Sequence, residues 1–475
     1  MPRLISVEAK PPMRTPLVRW SVLSVSLALA LTSCAKGTGG AADPTPSAGQ
    51  YNPGASYQGT ISAMGFGATD EIGTTRVDLA KKALGGADVK LIEGDLDIQQ
   101  FLSSVAAGDP PDIIYANRDQ IGTFASRGAI IPLTACIQGE QIDTSMYNPN
   151  ALAQVTFGDE IWAIPEFNQV QITMANADLL KEAGLTIDDV NGSSWEKITA
   201  ATKKLVKAPG GKLKVIGFDS KLPEFLPLWA KSLGADLLSA DGRTAQLNSP
   251  EVVKALQFAV SIYDAQGGFA KVKAVRDSAD FFGKGNQYAK NALGAMPMEQ
   301  WYVNVLNDVS PKAPMAFDTF RTPEGKALAY SSGSSWAIPK GAKNPGAACR
   351  FAKSMTLVDT WKAAAQARLD KRKAEGKPFT GILTGNVKAD AEIEKMLTSG
   401  GATWDEGVKA FYEANKNTFS LPANPADKEF KDAWQNAVNR VLNGQDEPQA
   451  ALDKAQQDAQ AALDKAWAGW TKRTN

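Results

Sequence analysis

Histidine is absent from all 475 residues of the chain. That removes Ser/His/Asp and Cys/His nucleophilic catalysis, and with them the commonest transition-metal ligand. No G-x-x-x-x-G-K-[ST] phosphate loop is present: Gly210, Gly211 and Lys212 run on into Leu213, and Gly325 and Lys326 into Ala327. Net charge is missing too, with 51 Lys+Arg against 51 Asp+Glu, so no overall field draws the chain to nucleic acid or an anionic membrane. The apolar run over residues 20–31 is too short to span a bilayer as a permanent helix. Cysteine is scarce, with three in all.

What is there suits a globular protein with a full core: 44% hydrophobic and 21% charged residues, over a length that fits two lobes of roughly 200 residues each. The first 33 residues read as an export signal, with a basic start (Arg3, Lys10, Arg14, Arg19) ahead of the apolar run. Its end, Leu31-Thr32-Ser33-Cys34, resembles the bacterial lipobox, which implies lipidation at Cys34. A start at Met13 rather than Met1 gives a more compact signal. Residues 34–56, rich in Gly, Ala, Pro and Ser, read as a flexible tether.

Residues 157–180, FGDEIWAIPEFNQVQITMANADLL, organise the remainder. Ile161 to Ile164 read as a buried strand stopped by Pro165, and Val170, Ile172 and Met174 as an alternating strand running into a helix at Asn176. Two strands joined by Glu166, Phe167, Asn168 and Gln169 mark a chain leaving one α/β domain for another. Ahead of them, strands over 60–66 and 89–92 alternate with a helix over 75–84 and one capped by Asp97, and Gly108 to Asp112 turn into a buried strand at Ile113. That order predicts a parallel sheet. Behind them come a helix after Ser194, strands over 215–218 and 293–296, and a helix from Pro250. Two amphipathic helices close the chain, one carrying Phe430, Trp434, Val438 and Val441. Residues 368–400 read as irregular and polar.

AAGDPPDIIYA followed by FASRGAIIPL resembles the amino lobe of the extracellular solute-binding proteins of carbohydrate ABC transporters, the group that includes maltose-binding protein. The crossing GDEIWAIPEFNQVQITMANADLLKEAGL, then Ser194-Trp195-Glu196, Leu293-Gly294-Ala295-Met296 before Trp301, and Trp336-Ala337-Ile338-Pro339 continue the likeness in order, from about residue 57 to the C-terminus. The resemblance implies an α/β, two-lobed periplasmic-binding-protein-like fold. Each lobe is then a mainly parallel sheet flanked by helices: 57–167 with 334–410, and 168–333 with 411–475, joined by a three-crossing hinge.

By position in the matching motifs, the resemblance points to ligand contacts at Asn117, Arg118 and Asp119, at Phe167, Asn168 and Gln169, and at Phe225 and Trp229. It adds Glu299, Trp301, Ser334, Ser335 and Trp434, with Asp70 in the first loop. Sugars present hydroxyls and apolar C–H faces, which planar side chains and bidentate polar groups suit. Each has a blander reading: Trp434 as core, Phe225 and Trp229 as an i, i+4 packing pair, Arg118 and Asp119 as a solvated pair. Cys136 and Cys349 leave two readings, a disulfide or two buried thiols.

The function implied is a non-enzymatic, lipid-anchored monomer on the outer face of the membrane. It captures a mono- or oligosaccharide without cofactor or metal and delivers it to permease subunits served by a separate ATPase. Two alternatives remain: the same fold with a non-sugar polar solute, and a surface glycoside hydrolase using two of Asp70, Asp119, Glu166 and Glu299.

Overall fold

The computed structural model describes residues 50–474. The signal over 1–33, Cys34, Met1, Met13 and the tether as far as residue 49 lie outside the described residues. The strands, in chain order, are β1 (Thr60–Met64), β2 (Asp88–Ile92), β3 (Ile113–Asn117), β4 (Thr156–Phe157), β5 (Glu160–Ile161), β6 (Ile164–Gln169), β7 (Gln171–Asn176), β8 (Ile216–Phe218), β9 (Leu293–Glu299), β10 (Met315–Thr319), β11 (Ala329–Tyr330), β12 (Ser332–Ala337) and β13 (Thr418–Phe419).

Two sheets carry the two lobes. The first runs β2-β1-β3-β12-β6, with β1 parallel to both β2 and β3 and with β12 antiparallel to its two neighbours. The second runs β10-β7-β9-β8, with β8 and β9 parallel and β7 antiparallel to both β9 and β10. Each sheet is therefore parallel except for one reversed strand, and in each that strand is the one the chain enters after a crossing. The first crossing is a single residue, Val170, between β6 and β7. The second is Ser331, between β11 and β12. At the hinge β11 pairs with β13 in parallel.

β6 runs straight through Pro165, where a stop was expected. Proline lacks a ladder donor, but β6 is an edge strand and its pairing shifts register at Ser334/Ser335, opposite Pro165. Both settings tolerate proline.

The helices follow apolar periodicity and caps. Asp97 caps the helix Ile98–Ala106 by accepting from Gln100 N–H. Asp70 caps the helix Glu71–Leu84 in the same way, accepting from Gly73 N–H. Cys136 and Cys349, both fully buried, are joined by a disulfide with Cα atoms 5.8 Å apart, tying the helix Thr134–Gly139 to the helix Pro345–Thr356.

Two expectations need correcting. Residues 368–400 are not irregular throughout: the helix Val358–Ala374 extends into them and the helix Val387–Glu394 follows. A lobe boundary at 410 falls inside the helix Ala402–Lys416. That helix packs on β10 and β7, with Trp404 against Phe317, so it belongs wholly with the second sheet. Among the described residues no helix is long and apolar enough to cross a membrane.

Candidate interlobe cleft

The carboxyl ends of parallel strands are where α/β sheets leave room for ligands. Here the ends of β3, β6 and β9 and the reversed starts of β7 and β12 face one cleft of about 180 Å³ between the lobes. It gathers Asn117, Arg118, Asp119, Gln169, Phe225, Glu299 and Trp434 from the residues expected by sequence. It adds Gln154, Gln171, Glu224, Tyr330, Ser332, Gly333, Lys431 and Gln435.

Its polar groups divide into those the fold has used and those it has left. Arg118 is used. Its fully buried guanidinium donates from Nε to Gln154 Oε1 at 2.8 Å, from Nη1 to the Phe167 carbonyl, and from Nη2 to Asn168 Oδ1 at 2.8 Å and the Ser332 carbonyl. Burial pulls its pKa down to about 10. Gly333 makes room for this fork: a Cβ there would lie 2.0 Å from the Phe167 carbonyl oxygen and 2.6 Å from Arg118 Nη1.

Asp119, Glu299 and Trp434 are among those left. Lys431 Nζ holds one Asp119 oxygen at 2.6 Å, while Oδ1 is buried without a hydrogen-bond partner. Trp434 Nε1 is likewise buried and unpartnered. Burial raises the Glu299 carboxyl above its usual range. A buried acceptor and a buried donor left open in one cleft, beside the rings of Phe225, Tyr330 and Trp434, suit a ligand that both donates and accepts next to an apolar face.

Other expected contacts lie outside this cleft. Asn168 is fully buried at the hinge: its Oδ1 accepts from Arg118 and from Ser331 Oγ, and its Nδ2 donates to Asn415 Oδ1 at 2.7 Å. Phe167 packs toward the Trp361 and Phe379 cluster. Trp229 is fully buried in the core of the second lobe, edge-on to Phe320, and donates to the Ser220 carbonyl. Ser334 pairs with Asn117 and Phe167 in the ladder, and Ser335 is buried beside the Ala116 carbonyl. Asp70 spends its second oxygen on Arg368 at 2.6 Å. Trp301, half-buried at the start of the helix Trp301–Val309, stacks on Phe282 with ring planes 15° apart. Glu166, named for hydrolysis, is buried and held by Arg76 and Tyr115.

Several of the cleft residues missed from sequence had a signal. Lys431 precedes Trp434 by three on the helix Asp427–Leu442 and so shares its face. Gln171 is two from Gln169 across the crossing, Ser332 is two from Ser334 on its strand, and Glu224 adjoins Phe225. Gln154 and Tyr330 had none, since tertiary contacts alone bring them in.

The two sheets, their exchanged strands and the cleft between them define a two-lobed, periplasmic-binding-protein-like molecule. The family described as bacterial extracellular solute-binding protein matches residues 82–360, and the chain belongs to it. It is 24% identical over 391 residues to a maltooligosaccharide ABC transporter solute-binding lipoprotein of Streptococcus pneumoniae (strain ATCC BAA-255 / R6), covering 78% of each chain. Among solved structures it resembles CpMnBP1 with mannobiose bound, at TM-score 0.69 and 23% identity over 85% of this chain and all of that one. It also resembles an ABC substrate-binding protein from Listeria monocytogenes in complex with cycloalternan, at TM-score 0.68 and 20% identity over 86% of this chain and all of that one.

Proposed function

We propose that this solute-binding protein captures a carbohydrate between its lobes and delivers it to the permease subunits of an ABC importer served by a separate ATPase. It works from the outer face of the membrane as a monomer anchored through lipidated Cys34. The observation that carries the sugar reading is the pairing of unsatisfied Asp119 Oδ1 and Trp434 Nε1 in one aromatic-walled cleft. The named ligands of the relatives support it. At about 180 Å³ the cleft is smaller than the roughly 300–1,000 Å³ of ordinary small-molecule sites, so a longer sugar enters when the lobes separate. Binding then favours the closed arrangement, in which both lobes touch the ligand.

The lobes are proposed as 57–169 with 332–394, and 171–330 with 402–475. The chain is read as binding without turnover. Of the four carboxylates considered for hydrolysis, Asp70 and Glu166 are held elsewhere and Asp119 is tied to Lys431.

A second reading has its own observation. Glu224 and Glu299 line the cleft with no ion pair among the described residues, which suits an amino sugar or a cationic solute. A thermal-shift screen of mono-, di- and trisaccharides, amino sugars, polyamines and amino acids separates the two, since a ligand bound by the native state alone adds RT ln(1 + [L]/Kd). A shift by neutral sugars supports the first reading. A shift by cationic solutes alone overturns it in favour of the second, and detectable cleavage of a labelled oligosaccharide defeats the non-enzymatic assignment.

A further inference from the structure

On the second lobe a groove of about 780 Å³ lies between the turn 209–211, residues 212–214, the helix Phe269–Asp277 and the segment 285–292. None of its lining residues lines the interlobe cleft. Lys212, Lys214, Lys271 and Lys290 stand around it, all exposed, and none has an ion pair among the described residues. Two neighbouring basic groups are committed, Arg276 to Asp219 and Lys273 to Asp277. Among the described residues no carboxylate lines the groove; that of Asp280 lies beside Gly285, where Lys290 Nζ also lies. Four ammonium groups around a lining without a carboxylate give a local positive field in a chain with no net charge.

Between the lysines the lining is largely apolar, from Leu213, Val275 and Ala292, with two polar residues, Ser278 and Gln287; the Ser278 hydroxyl is spent on the Val275 carbonyl. Gln287 lines the groove, is 3% exposed, and its Nε2 is buried with no hydrogen-bond partner. An amide donor buried unpaired is destabilising, and an incoming acceptor removes that cost. Lysine binds phosphate as a compact point charge with rotatable donors, and several can share one dianion.

We propose that this groove is a second binding site, for a phosphate-bearing ligand. Gln287 Nε2 donates to a phosphate oxygen at the floor, the four lysines balance its charge at the rim, and Leu213 and Val275 pack against the carbon skeleton. The same chemistry is offered by a soluble phosphate ester and by a phospholipid headgroup.

The test is calorimetric titration of the purified full chain carrying Cys34→Ser, so that no lipid anchor is present, with inorganic phosphate and glycerol 3-phosphate, together with flotation on phosphatidylglycerol against phosphatidylcholine vesicles. Saturable binding is expected, weakened by at least about tenfold in a Lys271→Gln/Lys290→Gln double variant and also weakened as salt rises from about 50 to about 200 mM. Both lysines are exposed, so the ligand-free melting temperature of that variant should not move. Binding of the free esters assigns a soluble anion. A preference for anionic vesicles alone, lost in the double variant, assigns a headgroup. Gln287→Glu should abolish either, with circular dichroism confirming the fold; if that variant misfolds, the lysine variant decides. Absence of binding to every probe, or binding undiminished in the double variant, overturns the proposal.

Discussion

Asp427 accepts three hydrogen bonds from the opposite lobe: from Thr123 N–H at 3.0 Å, from the Thr123 hydroxyl at 2.6 Å and from Gly122 N–H at 2.7 Å. The carboxyl of Asp427, at the start of the helix Asp427–Leu442, thus caps the helix Ile121–Ser126. The approach is close enough to require glycine at 122, since a Cβ there would lie 1.9 Å from the Asn424 carbonyl oxygen.

Burial pushes the Asp427 carboxyl from an ordinary 3.8 up to about 8. Between those values the folded chain holds a proton that the unfolded chain has released. The stabilisation is therefore complete below about 4 and is lost as pH rises through about 8. Asp390, pushed up to about 7 by burial, adds in the same direction. The melting temperature of the ligand-free protein should fall across that window, and Asp427→Asn should flatten the slope. A pH-independent melting temperature in the parent would refute the assignment.

Arg118 holds the first two crossings at once, through the Phe167 carbonyl before Val170 and the Ser332 carbonyl after Ser331. Lysine keeps the charge and loses the fork. Arg118→Lys should cost about 2–4 kcal/mol in urea unfolding, because several buried carbonyl and amide acceptors lose their donor. A cost near zero would return Arg118 to the role of a ligand contact.

In the cleft, Trp434→Ala and Asp119→Ala should each weaken ligand binding by about 1–3 kcal/mol, measured by titration with the sugar that the thermal screen identifies. Trp301→Ala should lose less, since its ring stacks on Phe282, which is 65% exposed. A Trp301 loss as large as that of Trp434 would extend the ligand's path onto the Phe282–Trp301 pair.

Reducing the Cys136–Cys349 disulfide releases a cross-link between residues 213 apart in sequence. Cys136→Ser/Cys349→Ser should lower stability by about 2–5 kcal/mol while leaving ligand affinity intact, because both sulfurs lie in the first lobe's core, away from the cleft. A parallel loss of affinity would show that the bridge also sets the hinge.

The two-lobed architecture was legible because strand and helix periodicities alternate cleanly and the crossing motif is distinctive. The strand through Pro165 was not, because an edge position and a register shift are facts about neighbours. Within the cleft, residues at strand ends such as Asn117 and Glu299 could be read from motif order. Asn168 and Trp229 could not be told from ligand contacts, since a polar residue at a hinge and a tryptophan in a core look the same in one dimension. What separated them was burial with a partner: Asn168 has Arg118, Ser331 and Asn415, while Asp119 Oδ1 and Trp434 Nε1 have none.

β12 lies between β3 and β6 in the first sheet, although the chain makes both of those strands more than 150 residues earlier. Until residue 337 has been synthesised, β3 and β6 have a strand-wide gap between them and two bare edges facing it. The first lobe therefore cannot finish before most of the second has been made. Its completion waits on long-range strand insertion, a slow kind of event, and the chain that spans the gap is the one that later forms the hinge.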